Sequence, residues 1–290
     1  MNQASTLHKI MAQSHTQLES SMFKQPRVIA VASGKGGVGK TNISTNLAYS
    51  LAKKGQKVLL LDADLNLANV DILLGLTPKY NLHHVFLGQK RLQDILVDGP
   101  GGFQLLPASS GVMDMAELTE DQKLYFLSEI SELGHDIDIM LIDTAAGINK
   151  NVIYFTLASQ EKIIVLTPEP TSLTDAYALI KVLSSQHDVR RFRILVNNAH
   201  SEKEALAVYR QLTLVADRFL DSLSLDYLGY LPFDQKLSQA VRAQRLVVDL
   251  SPTAEISGKF SLLAEQIINE EASYQNDGNI KFFWKGLFNL

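Results

Sequence analysis

The chain has 290 residues, 46% hydrophobic and 20% charged, which is enough to bury a full core as one α/β domain with tails. A net charge of −4 argues against broad nucleic-acid binding, and the absence of cysteine excludes disulfides and thiolate metal sites. No apolar run approaches the roughly 18 residues of a membrane span, and residues 1–25 lack the apolar centre of a signal peptide, which predicts a cytoplasmic protein.

Residues 1–25 are polar, and Pro26 separates them from the first strand-like run, Val28 to Ala32. Within this tail Leu7, Ile10, Met11 and Leu18 can form an apolar stripe on a helix that orders on a partner. The stretch after the strand, Gly34 to Thr41, fits G-x-x-x-x-G-K-[ST], and Ile43, Leu47 and Leu51 then recur at helical spacing. This is a phosphate cradle. Its glycines let the backbone approach closely, Lys40 meets the β and γ phosphates, and Thr41 ligates Mg²⁺. The free amides and dipole of the helix N-terminus add to the attraction. Gly34, Gly36, Gly37, Val38, Gly39, Lys40, Thr41 and Asn42 are therefore expected to bind nucleotide.

Gln56 to Leu61 is a continuous apolar run of the kind buried in a parallel sheet, and it ends in Asp62-Ala63-Asp64. Residues 75–100 suggest small helices and loops; His83 and His84 lie there without a third metal ligand in register. Gly102 to Pro107 reads as a strand and Asp114 to Leu133 as an exposed helix. Ile137 to Asp143 is another buried strand ending in an acid, followed by Thr144-Ala145-Ala146-Gly147. Further strands are expected at 162–167, 192–197 and 225–231, with helices around 171–186, 202–220 and 252–272. This alternation predicts a doubly wound, mostly parallel sheet covered on both faces, in a body spanning residues 26–272. The basic run Arg190-Arg191-Phe192-Arg193 reads as the solvated flank of a strand.

Beyond a polar linker from Ser273, the chain turns abruptly aromatic. Wound as a helix, it places Ile280, Phe283, Trp284, Leu287 and Phe288 on one stripe and Lys281, Lys285 and Asn289 on another. That pattern suits an interfacial helix on anionic lipid, the alternative being a tail folded back onto its own core. One such tail holds a bilayer weakly, whereas two in a dimer gain about 10² to 10⁴ in avidity.

Lys35 stands directly after the first glycine, a place most P-loops do not fill with lysine, and Gly34 to Thr41 resembles the deviant Walker A loop of the MinD/ParA ATPases. The lack of cysteine sets the chain apart from the iron–sulfur relatives of that loop. Asp62, Asp64, Asn69 and Asp71 resemble the family's switch I pattern D-x-D-x-G-x-x-N-x-D, with Asn66 where glycine is usual, and Asp143 to Gly147 resembles Walker B leading into switch II. The resemblance implies ATP and Mg²⁺ as cofactors and an ATP-sandwich homodimer. In it Lys35 and Asn69 act across the interface, Asp62 supports the metal shell, Asp143 holds a metal-bound water and Asp64 orients the attacking water. It also implies that Asn197, Pro232, Phe233 and Asp234 contact the base.

Asn2 to Leu7 resembles the Asp-Gln-Ala-x-x-Leu motif of the FlhG (FleN) branch of that family, the regulators of flagellar number, with Asn2 replacing the acid. This implies that Gln3, Ala4 and Leu7 engage the signal-recognition-type GTPase FlhF. It further implies reversible binding to inner-membrane lipid, and a flagellar switch-complex protein or transcription factor as a further partner. The rival expectations are a MinD-like regulator of the division site and a ParA-like DNA-partition ATPase.

Overall fold

The apolar runs become one eight-stranded sheet: β1 (Arg27–Ser33), β2 (Val58–Ala63), β3 (Val97–Asp98), β4 (Gln104–Leu106), β5 (Ile139–Ala146), β6 (Glu161–Leu166), β7 (Arg191–Ala199) and β8 (Ser224–Pro232). The computed structural model describes residues 26–64, 69–107, 119, 121, 122, 125, 128, 129, 132, 133, 136–220 and 223–270. Gln3, Ala4, Leu7, Asn66 and the stripe from Ile280 to Phe288 lie outside the described residues, as does much of the segment from Asp114 to Leu133.

The strand order is β3-β4-β2-β5-β1-β6-β7-β8, and every pairing is parallel except β3 with β4. From the central β1 the chain crosses to β2 on one side, and from β5 it crosses back to β6 on the other. The direction of winding therefore reverses beside β1, and in such sheets ligands bind outside the strand C-termini at that reversal.

Side chains alternate across the sheet, so the strands need apolar residues in unbroken runs to be buried on both faces. One face carries α1 (Lys40–Lys53), which packs Ile43, Leu47 and Leu51 against Ile29, Val31, Leu60 and Leu141. The small helix α2 (Val70–Leu74) follows β2; α3 (Leu82–Phe86) and α4 (Leu92–Ile95) come next, as expected for residues 75–100, and cover Leu59, Leu61, Met140 and Ile142 on the other face. That face continues through α5 (Lys150–Ala158), α6 (Pro170–His187) and α7 (Glu202–Phe219). After β8, α8 (Gln235–Arg242), α9 (Val247–Leu250) and α10 (Glu255–Asn269) return to the first face, where Phe260, Leu263 and Ile267 are buried.

Two readings of the sequence are corrected. Arg193 is not a solvated flank: its side chain is buried and ion-paired to Glu161 at 3.0 Å and to Glu270 at 2.6 Å, while Arg27 pairs with the same Glu161. Glu161 opens β6 between the strands that carry the two arginines, and a buried carboxylate needs such partners. The segment ending at Leu133 is not uniformly exposed either, because Glu129 and Leu133 are buried and the Glu129 carboxylate accepts the Leu92 N–H at the start of α4 at 2.9 Å. The antiparallel edge strand β3 and the helices α2, α5, α8 and α9 had no counterpart in the sequence reading. β3 has two residues, too few for any periodicity to register.

Candidate active site

The loop between β1 and α1 is shaped by its glycines in two ways. Gly34 lies against the backbone of α6, where a Cβ would stand 2.0 Å from the Asp175 carbonyl oxygen, so no side chain fits. Gly37 and Gly39 have φ of 79° and 93°, the left-handed region that glycine adopts without steric cost. Gly39 is the N-cap of α1 and makes no side-chain cap, and no acid lies in the first turn. The first N–H groups of a 14-residue helix thus face the loop's concavity, an arrangement suited to an anion.

Lys40 is 7% exposed and its ammonium donates to the Ser33 hydroxyl at 2.7 Å. That hydroxyl in turn donates to the Lys35 carbonyl at 2.7 Å. Burial pulls the Lys40 pKa down, while the charges of Asp143 and Asp64 push it back up. A phosphate would give the buried ammonium a charged partner in place of the neutral Ser33 hydroxyl.

Asp62 and Asp143 are neighbours in register across β2 and β5. Asp143 accepts a hydrogen bond from Ser44 at 3.0 Å, and another from the Thr41 hydroxyl, on the first turns of α1. Burial nevertheless raises its pKa to about 6. Asp62 is raised to about 7, by burial first and by Asp143 second. Its carboxylate accepts the N–H of Asp64 at 3.1 Å, of Asn69 at 3.0 Å and of Val70 at 3.1 Å, which fixes both ends of the loop that follows β2. Two buried carboxylates beside a threonine hydroxyl form a hard oxygen donor set, and a small divalent cation would relieve their mutual repulsion. The residues present therefore fit Mg²⁺ with a nucleotide phosphate.

Switch II is tied to the same loop: the Gly147 N–H donates to the Ser33 carbonyl at 3.0 Å, and the Thr144 hydroxyl donates to the Val31 carbonyl at 2.9 Å. Val38 turns its side chain into the core, so only its backbone faces the loop. Asn42 lies in the first turn of α1, and its carbonyl accepts the Asn46 amide at 2.7 Å.

Asn197 at the end of β7 is 2% exposed, and its amide nitrogen donates to the Val38 carbonyl at 2.7 Å. The asparagine expected at the base thus also supports the P-loop, and its Oδ1 is buried without a partner. Pro232 is buried at the end of β8, Phe233 is exposed with its ring 6.1 Å from that of His200, and Asp234 caps α8 by accepting the Lys236 N–H at 2.8 Å.

Lys35 is directed away from Lys40. Its ammonium pairs with Glu169, the N-cap of α6, and donates to the Thr171 hydroxyl at 3.0 Å. Ser33, Ser44, Glu169 and Thr171 were not read as site residues. Ser44 had a signal, since it stands three positions after Thr41 on one helix face. Glu169 had none beyond its place between Pro168 and Pro170.

Residues 26–194 match a family model described as an AAA domain. The antiactivator FleN of Pseudomonas aeruginosa is 46% identical over 257 residues, which cover 89% of this chain and 91% of FleN. The flagellum site-determining protein YlxH of Helicobacter pylori is 36% identical, covering 93% of this chain and 91% of YlxH. Among solved structures, the septum site-determining protein MinD of Pyrococcus horikoshii, complexed with Mg-ADP, superposes with a TM-score of 0.66 at 25% identity, covering 84% of this chain and 96% of that one. With the deviant loop, the paired acids and the parallel sheet in place, the chain belongs to the MinD/ParA family of P-loop ATPases and is similar to its FlhG (FleN) members.

Proposed function

We propose that the chain is a slow, Mg-dependent ATPase whose ATP-bound form is a homodimer that associates reversibly with the inner face of the cell membrane and controls flagellar number or placement. The observation that carries this reading is the contrast between the loop's two lysines. Lys40 is buried inside the cradle, whereas Lys35 is turned outward onto α6 with a third of its side chain exposed, available to the phosphates of a second subunit. FleN and YlxH, both similar over most of their lengths, support the flagellar assignment.

Bound Mg²⁺ would neutralise phosphate charge; Thr41 would hold it directly, Asp143 would hold it through a bound water, and Asp62 would support that shell. Lys40 and the amides of Gly34 to Asn42 bind and orient the phosphates. Asp64 orients the attacking water, and Lys35 and Asn69 act on the partner's nucleotide. Asn197, Pro232, Phe233 and Asp234 hold the base. Residues 1–25, through Gln3, Ala4 and Leu7, engage the GTPase FlhF, and residues 273–290 supply a linker and the membrane helix. The likeness to MinD supports a division-site regulator as the second reading; the net charge of −4 disfavours DNA partition.

Vesicles of anionic lipid distinguish these possibilities. The full chain should pellet with ATP and stay in solution with ADP, and removal of residues 279–290 should abolish pelleting. FlhF should co-sediment with the full chain and not after deletion of residues 2–7. Pelleting that ignores nucleotide, or survives the truncation, refutes the membrane part; failure of FlhF to bind refutes the partner part.

A further inference from the structure

Glu169 is placed by its backbone more firmly than a surface acid usually is. Pro170 keeps the preceding Glu169 out of the helical region, at φ −67° and ψ 133° as the N-cap of α6, and Pro168 fixes its own φ just before it. The same turn is tied down by the Thr167 N–H, which donates to the Ser172 hydroxyl at 3.0 Å. One turn further along, the α6 backbone at Asp175 packs directly on Gly34, the residue preceding Lys35. The holder and the lysine are therefore fixed to each other at two points. Lys35 also senses the phosphate cradle through its own carbonyl, which accepts from the Ser33 hydroxyl that receives the Lys40 ammonium.

We propose that Glu169, assisted by Thr171, is a latch that holds Lys35 in its own subunit before nucleotide binds and opposes pairing with a second copy. This rests on the reading above, in which Lys35 serves the nucleotide of a partner subunit. When two nucleotide-bound subunits meet, Lys35 exchanges Glu169 and Thr171 for the phosphate oxygens held by the partner subunit. Lys35 and Glu169 are 33% and 63% exposed, so water screens the pair and the latch opens readily. An exposed pair of this kind biases an equilibrium about two- to fivefold, and two latches open per dimer, giving about 4- to 25-fold in the dimerisation constant.

The experiment is sedimentation equilibrium of the full chain with Mg²⁺ and AMPPNP, alongside Glu169→Gln, Thr171→Val and Lys35→Ala. Glu169→Gln should tighten the dimer by about 4- to 25-fold, with Thr171→Val moving it less in the same direction. In parallel, an amine-acylating reagent read by mass spectrometry should label Lys35 faster in nucleotide-free Glu169→Gln than in the parent. An unchanged or weaker dimer in Glu169→Gln, or an unchanged labelling rate, overturns the latch. Undiminished dimerisation of Lys35→Ala overturns instead the reading on which the latch rests.

Discussion

Asp62 and Asp143 face each other in register on adjacent strands, and both are held above the ordinary carboxylate range by burial. The folded protein without nucleotide thus binds protons that the unfolded chain has released. For Asp143, whose pKa moves from 3.8 to about 6, stability contributed by the protonated form is present at low pH and lost as pH rises through that window. Asp143→Asn should therefore stabilise the nucleotide-free protein at pH 7.5 by up to about 3 kcal/mol, with the difference closing toward pH 4. The same variant should lose the Mg²⁺-dependent part of its nucleotide affinity. Urea unfolding across pH, with nucleotide titrations with and without Mg²⁺, checks both arms.

Gly34 and Gly37 belong to one motif but serve different purposes. Gly34→Ala drives a Cβ into the α6 backbone, whereas a Cβ at Gly37 meets nothing within 4 Å and suffers only its φ of 79°. Overpacking against main chain should cost about 3 kcal/mol or more at Gly34, and a left-handed alanine about 1 kcal/mol at Gly37. Thermal melts of the two variants should separate them clearly; equal losses would mean that α6 does not press on the loop.

Asn197→Ala removes the amide that holds the Val38 carbonyl and should destabilise the chain by about 1–2 kcal/mol. Asn197→Asp should be worse, because it sets a carboxylate oxygen against that carbonyl. Nucleotide affinity should fall with both, even for triphosphate analogues that lack the base. Retained affinity for those analogues would confine Asn197 to base contact.

The ionic cluster at the opposite end of the sheet joins the start of β1 to the end of α10 through Arg27, Glu161, Arg193 and Glu270. Glu161→Gln leaves Arg193 without its buried counter-charge and should cost about 3–5 kcal/mol in chemical denaturation. ATP turnover per folded molecule should be unchanged, since the cluster lies far from the strand C-termini.

These contrasts show which parts of the molecule were legible in the sequence. The loop from Gly34 to Thr41 and the acids at 62, 64 and 143 could be read because each lies within a few residues of its structural context, a strand ending or a helix beginning. The parallel sheet followed from apolar runs too continuous for one-sided burial. Glu169 meets Lys35 across 134 residues of chain, and Asn197 meets Val38 across 159, so neither contact leaves a local trace. Arg193 was misread for the same reason: its partner Glu161 opens a different strand, and three arginines in four residues look like a solvated run until the sheet is assembled.

The claim that this site is an ATP-driven assembly switch is tested most directly by the mass of the protein in solution. Asp64→Ala should slow hydrolysis and hold the ATP-bound state, so light scattering with Mg-ATP should give a dimer for this variant and a monomer once ADP replaces ATP. A monomer with both nucleotides, at concentrations that saturate the site, would contradict the account.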